Sequence, residues 1–379
     1  MKFYTSYSEP RPVRLSEKTR QFAWDSLHHR YGLDTLNTMS VALDKVPGIA
    51  EMSDLEKYNA AIDEIVKKSP IRICEGELLA GAATLGAAID HMVPATLHGT
   101  LLFPSVSHLT VDFKRVLYEG IDGIERRAQQ SLAQQTDPRR KAFLQSALHC
   151  ISCMRFWHER YIKALEEQGG YDLVLQNLKQ VPFQPAENFH QAVQSIWFTF
   201  AFLRLCGNWP GIGRLDQLLG KYLKQDLAAG RLTLDEAREI LAHFFIKGCE
   251  WICGTTHTGI SGDAQHYQNI ILAGTDKDGN EVTNEVTYLV LDILEEFNIS
   301  DFPTSIRMHS QVPEQLLRRA AEVIRHGGGV VAFYNEETVL KALTKAGYPI
   351  QEARQFANDG CWEVQIPGKT YFILSLIHI

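Results

Sequence analysis

The sequence predicts an α/β protein whose strands pair in parallel around a layered or barrel core. Three observations carry that reading. From residue 268 onward, short apolar runs alternate with helical patterns of ten or more residues, and strands joined by such crossovers pair in parallel. The chain before that point reads mostly as helix, with the apolar run 189–205 as its strongest segment. No low-complexity segment, Pro/Ser linker or internal repeat divides the chain.

Taken in order, residues 14–68 show helical periodicity in charged surroundings, closed by Ser69-Pro70. Pro182 and Pro185 precede the apolar helix 189–205. Thr233 and Glu236 form a capping-box pattern, Thr233 as N-cap and Glu236 three residues on, opening a helix through about Ile246. Residues 268–274 read as a short buried strand and 276–280 as a turn. A helix over 284–296, a strand over 304–309, a helix over 313–326 and a strand over 330–333 follow. Gly327-Gly328-Gly329 lacks the Lys-Ser/Thr of a phosphate loop and reads as a helix C-cap and tight turn.

Composition narrows the function classes. The 379 residues are 45% hydrophobic and 22% charged, enough apolar material for a sizeable core. A net charge of −7 without a Lys/Arg run argues against nucleic acid as main ligand. The longest apolar stretches, such as 195–205, fall well short of a spanning length, and residues 1–10 lack a signal-peptide core, so a cytoplasmic location is expected. Seven cysteines, an odd number in a large chain, read as reduced thiols. Cys150 and Cys153 beside His149 and His158 offer zinc ligands on paper, but no second CxxC follows, so they read as buried helix cysteines with no metal. Cys249 and Cys253 receive the same reading.

The segment Asn358-Asp359-Gly360-Cys361-Trp362-Glu363 carries the chemistry. It sets a thiol and a carboxylate two residues apart beside a glycine, so that one group can take a hydrogen and the other a proton from neighbouring atoms of one small substrate. A thiol hydrolase, with Cys361 as nucleophile and a histidine such as His309 as base, is the other catalytic reading of the same residues.

Pro-Ile-Arg-Ile-Cys-Glu-Gly-Glu-Leu-Leu-Ala-Gly at 70–81, Pro-Ala-Glu-Asn-Phe-His-Gln-Ala-Val-Gln at 185–194, Gly-Arg-Leu-Asp-Gln at 213–217, Asn-Glu-Val-Thr-Tyr-Leu at 284–289 and Gly360-Cys361-Trp362-Glu363 follow one another along the chain. In that order these blocks resemble the glycyl radical enzyme family. Ordered blocks over most of a chain are far more specific than any single short motif. The resemblance implies a barrel of two five-stranded parallel half-sheets surrounded by helices, with the cysteine on a loop threaded into its centre. It implies a radical stored on a C-terminal glycine, installed by a radical-SAM activating enzyme and passed to Cys361 as a thiyl, with no other bound cofactor. It also implies a small-molecule substrate and a homodimer.

In eliminating members that share Cys-x-Glu, the carboxylate, here Glu363, deprotonates a hydroxyl next to the substrate radical and so speeds loss of water, amine or another leaving group. Pyruvate formate-lyase uses two adjacent cysteines; Gly360 before Cys361 disfavours that formate C-acetyltransferase chemistry here. Residues 207–214 match a segment where glycerol dehydratases place a His-Ser pair on substrate; this chain has Asn208 and Trp209 there, which the resemblance makes candidate substrate contacts and which argue against glycerol. Trp362 replaces a small residue and Val364 a proline, implying a bulkier pocket. His108 matches a polar pocket position of diol dehydratases, with Asp112 four residues on as a weaker candidate.

Nothing in 364–379 resembles the glycine block, and 374–379 reads like a translated sequencing adaptor. The expectation is that 1–373 is the N-terminal and central part of one catalytic domain, inactive without the missing C-terminal glycine domain. A noncatalytic scaffold relative is the remaining alternative.

Overall fold

The computed structural model describes residues 10–27, 30–31, 38–82, 85–89, 92–249, 268–299, 301–327, 331–360 and 362–370. Helices dominate the first part of the chain: Glu17–Leu27, Asp54–Lys68, Phe113–Gln134, Pro138–Gln168, Asp172–Gln180, Phe189–Leu205, Leu215–Ala228 and Leu234–Cys249. Among the described residues, the helical pattern expected over 14–68 divides into two α-helices and a short 3₁₀ turn, Ile49–Glu51. Between the two α-helices Val41–Ala42 pairs in parallel with Ala95–Thr96, a contact between segments distant in sequence that local periodicity cannot register. Ser69 does close the second helix, and Ser53 opens it with a capping box to Glu56.

The helix Phe189–Leu205 lies where its pattern predicts, with Asn188 accepting from the Gln191 amide at its N-terminus. It is buried on every side except at Leu203, as expected for a helix apolar all round. No described helix is long and apolar enough to cross a membrane. The Thr233–Glu236 capping box forms reciprocally at the start of Leu234–Cys249.

Parallel strands supply the centre. Gly213–Arg214, Ile270–Ala273, Thr304–Met308 and Val331–Asn335 make a four-stranded sheet in that order, every pair parallel. The crossovers are helical, Glu285–Phe297 between the second and third strands and Glu314–Ile324 between the third and fourth. A second parallel pair, Ser107–Thr110 with Trp209–Gly211, is joined to the first sheet through Ile212 alone. The chain therefore steps from one parallel sheet directly into the other. Gly327 adopts φ +77° after Glu314–Ile324, the left-handed conformation expected of a C-cap glycine. Gly328, Gly329, Val330 and Cys253 lie outside the described residues.

Burial includes charge. Lys247 and Glu77, both fully buried, form an ion pair between the Leu234–Cys249 helix and the 70–81 segment. Removing one partner leaves the other charged and desolvated, so Lys247→Met should lower unfolding free energy by about 3–5 kcal/mol, measured by urea denaturation. A change below about 1 kcal/mol would show that water or another group replaces the ammonium.

Candidate active site

The segment around Cys361 is a hairpin. Ala357–Asp359 pairs antiparallel with Glu363–Gln365, with Asn358 opposite Val364 and Asp359 opposite Glu363. Gly360, Cys361 and Trp362 connect the two strands; Cys361 itself lies outside the described residues. One helical turn, Ile350–Ala353, precedes the hairpin.

This hairpin is held by both parallel sheets. The first sheet reaches it through Ser305, whose hydroxyl donates to Asn358 Oδ1 at 3.1 Å, and through Asn269, whose amide donates to the Gly360 carbonyl at 3.3 Å. From the second sheet, the Gly211 amide donates to Asp359 Oδ2 at 3.1 Å, and Gln365 donates from its side chain to the His108 carbonyl at 2.7 Å. The Ala357–Asp359 strand touches strands of both sheets, so it lies where the two meet.

His108 and Gly360 are in close approach. A Cβ built on Gly360 would stand 2.0 Å from His108 Cδ2, and Gly360 has φ +58°, so both space and backbone demand glycine here. Ser107 Oγ lies 2.7 Å from His108 Nδ1 and orients the ring. Glu363 is half-buried, and its Oε2 is buried with no hydrogen-bond partner among the described residues. Trp362 adopts φ +80°; its carbonyl accepts from the Tyr334 hydroxyl at 2.5 Å, and the two rings lie 6.4 Å apart. Burial pushes the Tyr334 hydroxyl up to about 12, so it remains a donor at neutral pH.

The other candidate residues have partners of their own. Asn208 Oδ1 accepts from the Val106 amide at 3.1 Å, tying down the entry to the His108 strand. Trp209 is fully buried: its indole N–H donates to the Ala88 carbonyl at 2.7 Å and the Arg204 guanidinium lies over its ring. Asp112 caps the Phe113–Gln134 helix by accepting from the Arg115 amide. It lines a separate cleft of about 440 Å³ with Arg214, Gln217, Glu352 and Lys369, a cleft that none of the other predicted site residues lines. His309 pairs with Glu281 and accepts the Gln311 amide, so both of its ring nitrogens are engaged.

Asp359 had no role in the sequence reading; the antiparallel register sets it directly opposite Glu363, on the same face of the hairpin. It is fully buried, and burial raises its carboxyl well above the usual range; the Glu363 charge adds to this, while amides of Gly360, Gly211 and Leu109 oppose it. A folded-state value above the unfolded one means that the group favours folding below about pH 4, the ordinary carboxyl value, and loses that contribution as pH rises. Asp359→Asn, which cannot ionise, should therefore gain stability relative to the parent between pH 5 and pH 8. Urea midpoints of both proteins at the two pH values measure this, and parallel pH dependences would refute it.

A family model described as pyruvate formate lyase-like matches residues 87–378. The isethionate sulfite-lyase of Desulfovibrio desulfuricans is 28% identical over 280 residues, covering 68% of this chain and 34% of that protein. The trans-4-hydroxy-L-proline dehydratase of Clostridioides difficile is 31% identical over 216 residues, 54% of this chain and 26% of that protein. The glycerol-bound structure of the B12-independent glycerol dehydratase from Clostridium butyricum has the same fold, with a TM-score of 0.77 at 20% identity, over 96% of this chain and 56% of that one. The chain thus spans about a third of the length of the curated relatives it matches. With the model match covering most of its length, the chain belongs to the pyruvate formate lyase-like family of glycyl radical enzymes.

Proposed function

We propose that the full-length protein is a radical lyase or dehydratase acting on a small hydroxylated molecule, with Cys361 and Glu363 as its catalytic residues. The observation that carries this reading is the hairpin: the Ala357–Asp359 strand that leads into Gly360-Cys361-Trp362-Glu363 touches both parallel sheets, and a buried oxygen of Glu363 has no hydrogen-bond partner among the described residues. Relatives named as a sulfite-lyase and as a dehydratase support the elimination chemistry.

The glycyl radical, installed by a radical-SAM activating enzyme, supplies the oxidising equivalent that Cys361 uses. The enclosed hairpin fits such chemistry, because a radical must be kept from water and oxygen. In the proposed cycle the Cys361 thiyl takes a hydrogen atom from a substrate C–H, giving a thiol and a carbon radical. Glu363 then takes the proton of the adjacent hydroxyl while the leaving group departs from the neighbouring carbon with its bonding pair. The product radical recovers a hydrogen atom from the Cys361 thiol, so the step is redox-neutral and the thiyl is regenerated. His108, packed on Gly360, is proposed to contact substrate, with Trp362 lining the pocket. Asn208, Trp209 and Asp112 are proposed to act on the pocket through the strands and helix they hold. A homodimer in the cytoplasm is proposed by likeness to the family.

The test is anaerobic activation of the full-length protein by its activating enzyme. A glycyl radical signal by electron paramagnetic resonance, together with release of a leaving group from a hydroxylated substrate, is expected. Oxygen-stable turnover without activation would replace this reading with thiol hydrolysis.

A further inference from the structure

We propose that Asp63, His149 and Cys153 form a binding site for a divalent transition cation, zinc above all, which clips two outer helices together. His149 and Cys153 stand four apart on Pro138–Gln168, so their side chains leave the same face of the helix. That helix packs against Asp54–Lys68, which brings Asp63 to meet them. Cys153 Sγ is 3.4 Å from Asp63 Oδ1 and 3.5 Å from His149 Nε2, and His149 Nε2 is 3.4 Å from Asp63 Oδ2.

Zinc bonds of about 2.0–2.3 Å in tetrahedral geometry hold neighbouring donors about 3.3–3.6 Å apart. Each of these separations is close to one tetrahedral edge; Cys153 and His149 face different oxygens of Asp63, so a rotation of that carboxylate brings one oxygen to the cation beside the thiolate and the imidazole. A thiolate, an imidazole and a single carboxylate suit zinc or cobalt, and they offer too few oxygens for calcium or magnesium. Access is available from one side only: Cys153 is buried, whereas the side chains of His149 and Asp63 are 34% and 38% exposed. A cation can enter from solvent and keep water as its fourth ligand. The sequence offered no metal site here, because Asp63 lies ninety residues before Cys153 and only the helix packing brings it to His149 and Cys153.

The test is titration of the metal-free full-length protein with Co²⁺ alone, followed by Zn²⁺. One equivalent of Co²⁺ should bind with a sulfur-to-cobalt charge-transfer absorption, which Zn²⁺ abolishes by displacement. His149→Gln should weaken binding more than about 100-fold, beyond what loss of a supporting residue costs, and Cys153→Ser should remove the absorption. Ser152→Ala, at an exposed position between the two ligands, should bind like the parent. Zn²⁺ should also raise the melting temperature of the parent and not of His149→Gln, a readout independent of turnover. If no stoichiometric absorption develops, or if it survives in both His149→Gln and Cys153→Ser, the three groups are a hydrogen-bonded helix contact and the proposal fails.

Discussion

Full-length protein carrying Cys361→Ser is expected to keep its glycyl radical after activation and to lose turnover entirely. The radical is formed on a backbone glycine, which the substitution does not touch, so the resonance signal should match the parent in yield. Turnover needs an atom that both gives up and recovers hydrogen near the strength of an activated C–H bond. Sulfur meets that condition. A serine O–H bond is much stronger, so hydrogen transfer from the serine hydroxyl to the stored radical is steeply uphill and no abstracting species forms. Because serine is close to cysteine in size, the hairpin should hold its pairing of Asp359 with Glu363, and urea denaturation should show little change. Measurable product from Cys361→Ser at a rate near the parent's would remove the sulfur from the mechanism.

What could be read from the sequence follows from the range of the interactions involved. The 189–205 helix and the Thr233–Glu236 cap were legible because apolar periodicity and capping are local. Strands from 270 to 335 were legible because helical crossovers separate them, and that spacing alone implies parallel pairing. The two-residue strand Val41–Ala42 was not, since its partner lies more than fifty residues away.

At the site, residue type and family order pointed to Cys361, Glu363 and His108, and the structure sets Gly360 against the His108 ring. They could not give direction. Trp209 sits on a strand paired with the His108 strand, yet its indole reaches back to Ala88 in the core. Asp359 was missed because a three-residue strand gives too little alternation to be read, while its burial depends on Gly211 approaching without a side chain.

Glu363→Gln should also keep the radical, and should slow elimination about 10²–10⁴-fold, the usual worth of a positioned acid or base. Glutamine keeps the length and shape of the side chain but cannot accept the hydroxyl proton as the leaving group departs. The loss should fall on kcat rather than KM, because binding contacts of the side chain persist while its proton transfer does not. In the proposed cycle hydrogen abstraction precedes this step and is assigned to Cys361. The variant should therefore still exchange hydrogen with a substrate labelled at the abstracted position, measured by mass spectrometry, faster than it forms product. Asp359 provides a check on the assignment, since it is the cross-strand partner of Glu363 and a second carboxyl in the same hairpin. Its raised carboxyl leaves it a poorer candidate for the ionised base, and one of its oxygens is already engaged by the Gly211 amide. If Glu363→Gln turned over like the parent while Asp359→Asn lost elimination with its radical intact, the base would be Asp359, and the role proposed for Glu363 would have to be withdrawn.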